Sequence, residues 1–305
     1  MAMAFPTWID LRNWLEYAGL RAVVGFVRLM PLDAASEFSA RAWQLIAPYG
    51  RRQQRALDNI ARAFPDMPEA ERRRIIYVMW GNLGRVMVET MQIDRIIADP
   101  SRIEFVSQRL FDRYRGKMGP AVAMTLHMGN WELTAWPMTQ AGWHPAAVYR
   151  LVKNPYADRY LRAQRHVIYP AGLLARGGDY EGDDSEGQRT ARRIMDFVRQ
   201  GGRLGIVSDL FDRQGIPVPF FGHDARSTLV PAMIARRVGS RIWLARCIRV
   251  GAASRFKIEV KELKVERTAN AGDDIRATTA AAQAQFEAWI REAPEQWMWS
   301  NRRWG

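Results

Sequence analysis

The sequence predicts an α/β protein: a mostly parallel central sheet flanked by helices, with a helical N-terminal lobe. Three observations lead there. The first hundred residues carry apolar side chains at helical spacing. After residue 100, short apolar runs alternate with helical segments, the pattern of strands joined by crossover helices. Ala121–Leu126 is a mainly apolar run ending in a polar cluster, as expected of a strand covered on both faces. At 305 residues, 48% hydrophobic and 25% charged, the chain has ample material for a core. It contains no internal repeat and no low-complexity linker. A helical lobe over 1–100 and an α/β core over 101–305 are therefore expected to form one integrated domain.

The elements follow in order. Residues 8–30 read as an amphipathic helix that is a candidate membrane-interface element. Leu11, Leu15, Ala18, Ala22, Phe26 and Leu29 recur at helical spacing, with Arg12, Arg21 and Arg28 mostly opposite. The two arginines at 21 and 28 interrupt the apolar run, leaving it short of the roughly 18 residues of a spanning helix. An ordinary surface helix packed on a core fits the same pattern. Helical spacing continues over Leu32–Pro48 and Arg52–Phe64. Pro68, Glu69 and Glu71 open a long helix reaching Met91, with proline and acids where a helix start favours them. Beyond Ala121–Leu126 come a helix over Leu133–Gln140, a strand over Ala146–Tyr149 and a helix over Pro155–Val167. Gly177–Gly187 is an acidic, glycine-rich loop. A helix over Arg189–Arg199, a strand over Leu204–Ser208 and an apolar run over Val218–Phe221 follow. Ser227 is placed to cap a helix ending near Arg237. Ile242–Ile248 and Phe256–Val265 read as strands, and Ile275–Glu292 as the last helix.

Charge narrows the function classes. Lys and Arg number 45 against 32 Asp and Glu, a net charge of +13, and only five of the basic residues are lysines. Such a chain seeks an anionic partner: nucleic acid, a membrane surface, or an acidic substrate or carrier. Arginine favours phosphate and carboxylate through its planar fork. One cysteine and four scattered histidines give no disulfide and no zinc spacing, so no metal or cofactor is expected. No phosphate-binding glycine loop and no nucleophile elbow is present. The N-terminus lacks a cleavable signal pattern, which places the chain on the cytoplasmic side.

The chemistry concentrates in Leu126-His127-Met128-Gly129-Asn130-Trp131-Glu132. A histidine stands where an apolar strand ends, the usual location of ligand sites in open α/β sheets. Glu132, five residues on, is positioned to fold back and hold the imidazole, as the carboxylate of a hydrolase triad does. His127 then acts as a general base. No serine or cysteine accompanies the pair, so His127 is expected to activate a hydroxyl of the substrate. Gly129 and Asn130 lie in the turn, where backbone approaches substrate closely and helix-start amides face an oxyanion.

The form His-Met-Gly-Asn-Trp-Glu resembles the signature of the glycerolipid acyltransferase superfamily. Further elements follow in order: Asn59-Ile60, Ala63-Phe64-Pro65, Glu71-Arg72, Tyr149-Arg150, Asn154-Pro155, Pro219-Phe220-Phe221-Gly222, Pro294-Glu295-Gln296-Trp297-Met298-Trp299 and Arg302-Arg303. Together they resemble the late acyltransferases of bacterial lipid A biosynthesis, the lauroyl/myristoyl transferase family, over roughly residues 8–304. The resemblance implies transfer of an acyl chain from acyl carrier protein to a hydroxyl of a lipid A precursor, at the cytoplasmic face of the inner membrane. It implies His127 and Glu132 as the catalytic dyad, and Arg165 and Asp209 as further site residues. The chain departs from relatives at these last two places: Arg162-Ala163-Gln164-Arg165 stands for Arg-Gly-Arg, and Asp209-Leu210-Phe211-Asp212 for Asp-Gln-Asp.

The residues add their own reading. Arg165 is suited to hold a phosphate bidentately or to pair with Asp209. Arg150 offers a second anionic contact or an ion pair with Asp158. Trp297, Trp299 and Trp304, beside Arg302 and Arg303, suit either interfacial anchoring or core packing. Val218–Phe221 and Leu229–Ile234 suit an acyl groove or core. Two other readings compete. An acyl-CoA-dependent enzyme acting on another glycolipid or phospholipid keeps the chemistry. A nucleic-acid-binding protein uses the charge alone, but no recognition motif accompanies it, and no nucleic-acid partner is expected.

Overall fold

A computed structural model describes residues 8–175 and 184–305, with backbone alone for 184–188. The N-terminal region is helical: α1 (Trp8–Leu29), α2 (Leu32–Ile46), α3 (Arg52–Ala63), α4 (Glu69–Thr90) and α5 (Ile93–Ile97). The α/β part then runs β1 (Ile103–Phe105), α6 (Gln108–Tyr114), β2 (Ala121–Thr125), α7 (Trp136–Gln140), β3 (Ala146–Tyr149), α8 (Pro155–Arg165) and β4 (Leu173–Ala175). It continues through α9 (Asp184–Arg199), β5 (Arg203–Val207), β6 (Ile216–Phe220), β7 (His223–Ser227), α10 (Val230–Val238), β8 (Arg241–Arg249), β9 (Phe256–Leu263) and α11 (Ala271–Glu292).

Seven strands form one sheet in the order β1-β9-β8-β2-β5-β3-β4, and β6 and β7 form a separate hairpin. The β8–β9 pair is antiparallel; every other pair in the large sheet is parallel. β2 sits between β5 and β8, with Thr125 opposite Val207 on one side and Ala245 on the other. The expected mostly parallel sheet is therefore present.

Period-two alternation feeds two cores. Ile242 and Leu244 of β8 join Met124, Leu126, Trp80, Ile76 and Phe286 on one face. Trp243, Ala245 and Cys247 join Ile96, Phe111, Leu133 and Ile258 on the other. Helices α3 and α4 supply Ala56, Ile60, Ile75, Met79 and Leu83 to the first core, so the helical region packs directly on the sheet. Trp297, Trp299 and Trp304 are buried in that core, as are Phe220 and Phe221. Core packing, the second of their two readings, is thus what these residues do.

Local starts follow simple chemistry. Asn154 caps α8, its side chain accepting from Tyr156 N (3.1 Å) and Ala157 N (3.2 Å) ahead of Pro155 at the first helical position. Asn270 caps α11 in the same way. Gly239 ends α10 at φ 76°, a left-handed conformation that favours glycine.

Several expectations are corrected. Ser227 caps nothing: it ends β7, its Oγ donates to Ala225 O (3.1 Å) and accepts from buried Arg303 (2.8 Å), and α10 starts three residues later. The competing demand of a buried guanidinium takes the hydroxyl. The segment after the site is a 3-10 turn over Trp131–Ala135 followed by α7, split where Pro137 enters. Strands β1, β4 and β7 escaped notice because each is short or polar. The Gly177–Gly187 loop lies outside the described residues up to 183, and α9 already begins at Asp184.

Candidate active site

The site is built on the register of two neighbouring strands. Thr125 and Val207 are opposite one another at the ends of parallel β2 and β5. Two residues further along each chain stand His127 and Asp209. Ser208 N donates to Thr125 O (2.9 Å), which continues the pairing to the site. Asp209 Oδ1 accepts from His127 Nδ1 (2.8 Å), and Oδ2 accepts from both His127 N (2.8 Å) and Trp297 Nε1 (2.7 Å). Asp209 is fully buried, whereas the His127 side chain is 16% exposed. An ionised carboxylate only accepts, so the ring proton lies on Nδ1 and Nε2 carries the basic lone pair. Nε2 has no protein partner among the described residues.

This arrangement replaces the expected one. Glu132 does not hold the imidazole; its Oε1 accepts from Arg165 Nη2 at 2.5 Å. Its charge still reaches His127 electrostatically. The reason is topological: the turn after β2 tightens into a 3-10 helix that directs Glu132 toward the C-terminal end of α8. Asp209, placed by the adjacent strand, takes Nδ1 instead. Arg165 accordingly pairs with Glu132 and not with Asp209.

Burial by itself lowers the His127 pKa. The Asp209 charge and hydrogen bond, with a smaller contribution from Glu132, outweigh it and leave the imidazole above its ordinary value. Burial acts on Asp209 in the opposite sense and is likewise outweighed, so its carboxyl stays below the usual range. Tyr169, fully in the field of Glu132 and Arg165, is held neutral by burial and by the glutamate charge.

A polar clamp fixes the turn from beneath. Gly129 adopts φ 55°, and a Cβ there would lie 2.0 Å from Cys247 O. Gly129 N donates to Gln296 O (2.9 Å), Met298 N donates to His127 O (2.9 Å), and Asn82 Nδ2 donates to Gly129 O (3.3 Å). Asn130 is buried and donates to Glu89 Oε2 (3.0 Å). Glu89 in turn forms a bidentate pair with Arg249 at 2.6 and 2.7 Å and accepts from Ser36 and Ser254. Arg249 is itself fixed to Gln296 through its backbone. Asn82, Glu89 and Arg249 carry no signal in the sequence, and Gln296 and Trp297 stand there only in the C-terminal element, without a part at the site. They come from α4, β8 and the C-terminal segment, which no local pattern links.

The other expected residues are dispersed. Arg150 is exposed just past the end of β3. The Asp158 carboxylate accepts from Tyr149 Oη (3.1 Å) and Val152 N (3.0 Å). Among the described residues no conventional nucleophile stands at His127: Cys247 is fully buried and burial holds its thiol protonated, while Ser208 Oγ is buried and donates to Ile206 O.

A histidine base oriented by a buried carboxylate, beside a glutamate-held arginine, suits acyl transfer to a hydroxyl. The chain matches the model of the bacterial lipid A biosynthesis acyltransferase family over residues 6–305. It belongs to that family. This lipid A acyltransferase is therefore an enzyme of acyl transfer in lipid A biosynthesis, and its acceptor is of the lipid A type. No curated protein matches the chain. In this acyltransferase His127 and Glu132 do not bond to each other; each has a separate partner, Asp209 and Arg165.

Proposed function

We propose that this lipid A acyltransferase moves a fatty acyl chain from an acyl carrier protein thioester to a hydroxyl of a lipid A precursor, at a membrane surface. The observation that carries the mechanism is the 2.8 Å contact between His127 Nδ1 and Asp209 with Nε2 left open. His127 Nε2 takes the acceptor hydroxyl proton as the oxygen attacks the thioester carbonyl carbon. Asp209 stays ionised and stabilises the imidazolium. Arg165, held by Glu132, supplies a fixed cation to the oxyanion of the tetrahedral species. Collapse breaks the carbon–sulfur bond, and the imidazolium returns its proton to the departing thiolate. The products are an ester and a free carrier thiol, with no covalent enzyme intermediate.

Two features support the membrane surface. On α1, Leu11, Leu15, Phe26 and Leu29 are 45%, 56%, 60% and 86% exposed, while Val24 and Val27 face inward. The apolar stripe is thus not packed on a core, which favours an interfacial helix over an ordinary surface helix. Among the described residues no helix is long and apolar enough to cross a membrane. The net charge of +13 suits both anionic headgroups and an acidic carrier.

The test is acyl transfer to a lipid A precursor with carrier-linked and coenzyme A-linked donors in parallel. Faster transfer from the carrier supports the donor assignment. Equal or faster transfer from acyl-CoA contradicts it.

A further inference from the structure

A cavity of about 300 Å³ lies between α1 and α8, walled by Arg21, Val24, Gly25 and Arg28 on one side and by Tyr160 and Gln164 on the other. Its two cations differ in what they already hold. Arg28 is engaged: it forms a bidentate pair with Asp94 at 2.8 and 2.7 Å and donates to Met91 O (3.2 Å). Arg21 has no carboxylate partner among the described residues. It donates to Tyr17 Oη (3.1 Å), and its guanidinium lies over the Tyr160 ring, 5.0 Å from the centroid. Two arginines and one aspartate leave the cavity with one net positive charge.

The form of that charge matters. A guanidinium stacked on a ring uses its face and keeps its edge of N–H donors for a planar or tetrahedral oxyanion. Gln164 adds an amide from the opposite wall. The location matters equally. One wall is α1, whose far side bears the exposed Leu15, Phe26 and Leu29. The other wall is α8, where the residue after Gln164 is Arg165, the partner of Glu132. With Arg165 held by Glu132, a phosphate on the acceptor needs another cation, and Arg21 lines this cavity without a carboxylate partner among the described residues.

We propose that Arg21, with Tyr160 and Gln164, forms a phosphate subsite for a lipid entering from the α1 face. The assignment rests on the proposed function, with the lipid A precursor taken as a glycolipid that carries phosphate. The same chemistry is offered by the headgroup of a bilayer phospholipid, and the experiment separates the two.

The full-length protein and its Arg21→Ala and Arg21→Lys variants are compared on a lipid A precursor and on the same precursor with its phosphates removed. Arg21→Ala is expected to reduce the preference in kcat/KM for the phosphorylated acceptor about tenfold, mainly through KM. Arg21→Lys, a point charge without the fork, is expected to restore part of it. An equal loss on both acceptors, together with weaker sedimentation of Arg21→Ala than of the unmodified protein with phosphatidylglycerol vesicles, assigns the subsite to a bilayer phosphate. An unchanged acceptor preference with unchanged vesicle binding overturns the proposal. If the unmodified protein transfers acyl chains to neither acceptor, the functional reading fails on its own. Calorimetric binding of the phosphorylated precursor, with and without Arg21→Ala, then still decides the subsite: weaker binding in the variant supports it, and equal binding overturns it.

Discussion

Asp209 controls both the tautomer and the basicity of His127, so its removal should be visible in the pH dependence of the rate. In the proposed mechanism the base works as neutral imidazole. Its raised pKa means that the rate climbs with pH through a value above the ordinary histidine value of about 6.5. Asp209→Asn removes the larger opposing charge and leaves burial opposed only by the smaller effect of Glu132. The acidic limb is expected to move to lower pH while the plateau falls roughly 10²–10⁴-fold, as a pH–rate profile of kcat/KM would record. An acidic limb that stays in place would contradict the assignment of Asp209. Trp297→Phe deletes one donor to Asp209 Oδ2 and keeps the ring in the core, so kcat is expected to fall roughly tenfold with little loss of stability. The residue types at the site were legible: a histidine at a strand end, a glutamate in the next turn, an aspartate after another strand. Their pairing was not. A five-residue spacing permits Glu132 to reach His127, but the β2–β5 register decides that Asp209 does, and register is not written in either segment alone.

At the scale of elements, the turn that carries His127 is held by α4, β8 and the C-terminal segment. The buried Glu89–Arg249 pair anchors Asn130 and, through Gln296, the backbone of Gly129. Glu89→Gln leaves Arg249 buried without its charge partner, and a loss of about 3–5 kcal/mol is expected in denaturant or thermal unfolding. Gly129→Ala places a methyl 2.0 Å from Cys247 O at a positive φ. The turn cannot yield without breaking the bridge between Met128 and Trp297, nor Cys247 without disturbing its pairing with Ile258, so activity is expected to be lost even where the protein still folds. Long periodic helices and buried strands were readable because burial imposes their pattern: α4 and β2 fall close to their expected limits. Three-residue β1 and β4 carry too few positions to show a period, and β7 is hidden by its exposed His223 and Asp224.

Across the whole molecule, the His127 end of the sheet and the exposed stripe of α1 belong to one chain whose helical region and α/β part share a core. That sharing predicts a single cooperative unfolding transition. Separate transitions in calorimetry would contradict it. The proposed interfacial role of α1 predicts that replacing Leu15, Phe26 and Leu29 with Ser weakens partition onto anionic vesicles by roughly 10³-fold or more, since each inserted side chain contributes about 1.5–3 kcal/mol. Unchanged co-sedimentation would argue against it. Net charge alone left nucleic acid, membrane and acidic carrier open; the fold assigns specific arginines to ion pairs, as with Arg28, Arg165 and Arg249, and leaves others at the surface.

The central claim is direct transfer by a histidine base. It is tested most directly by the rate of acyl transfer from acyl carrier protein to a lipid A precursor in His127→Ala, with the intact mass of the unmodified protein followed after exposure to donor alone. The account predicts a rate reduced by at least about 10²-fold and no acylated protein. Undiminished turnover in the variant, or an acyl-enzyme accumulating on the unmodified chain, would contradict it.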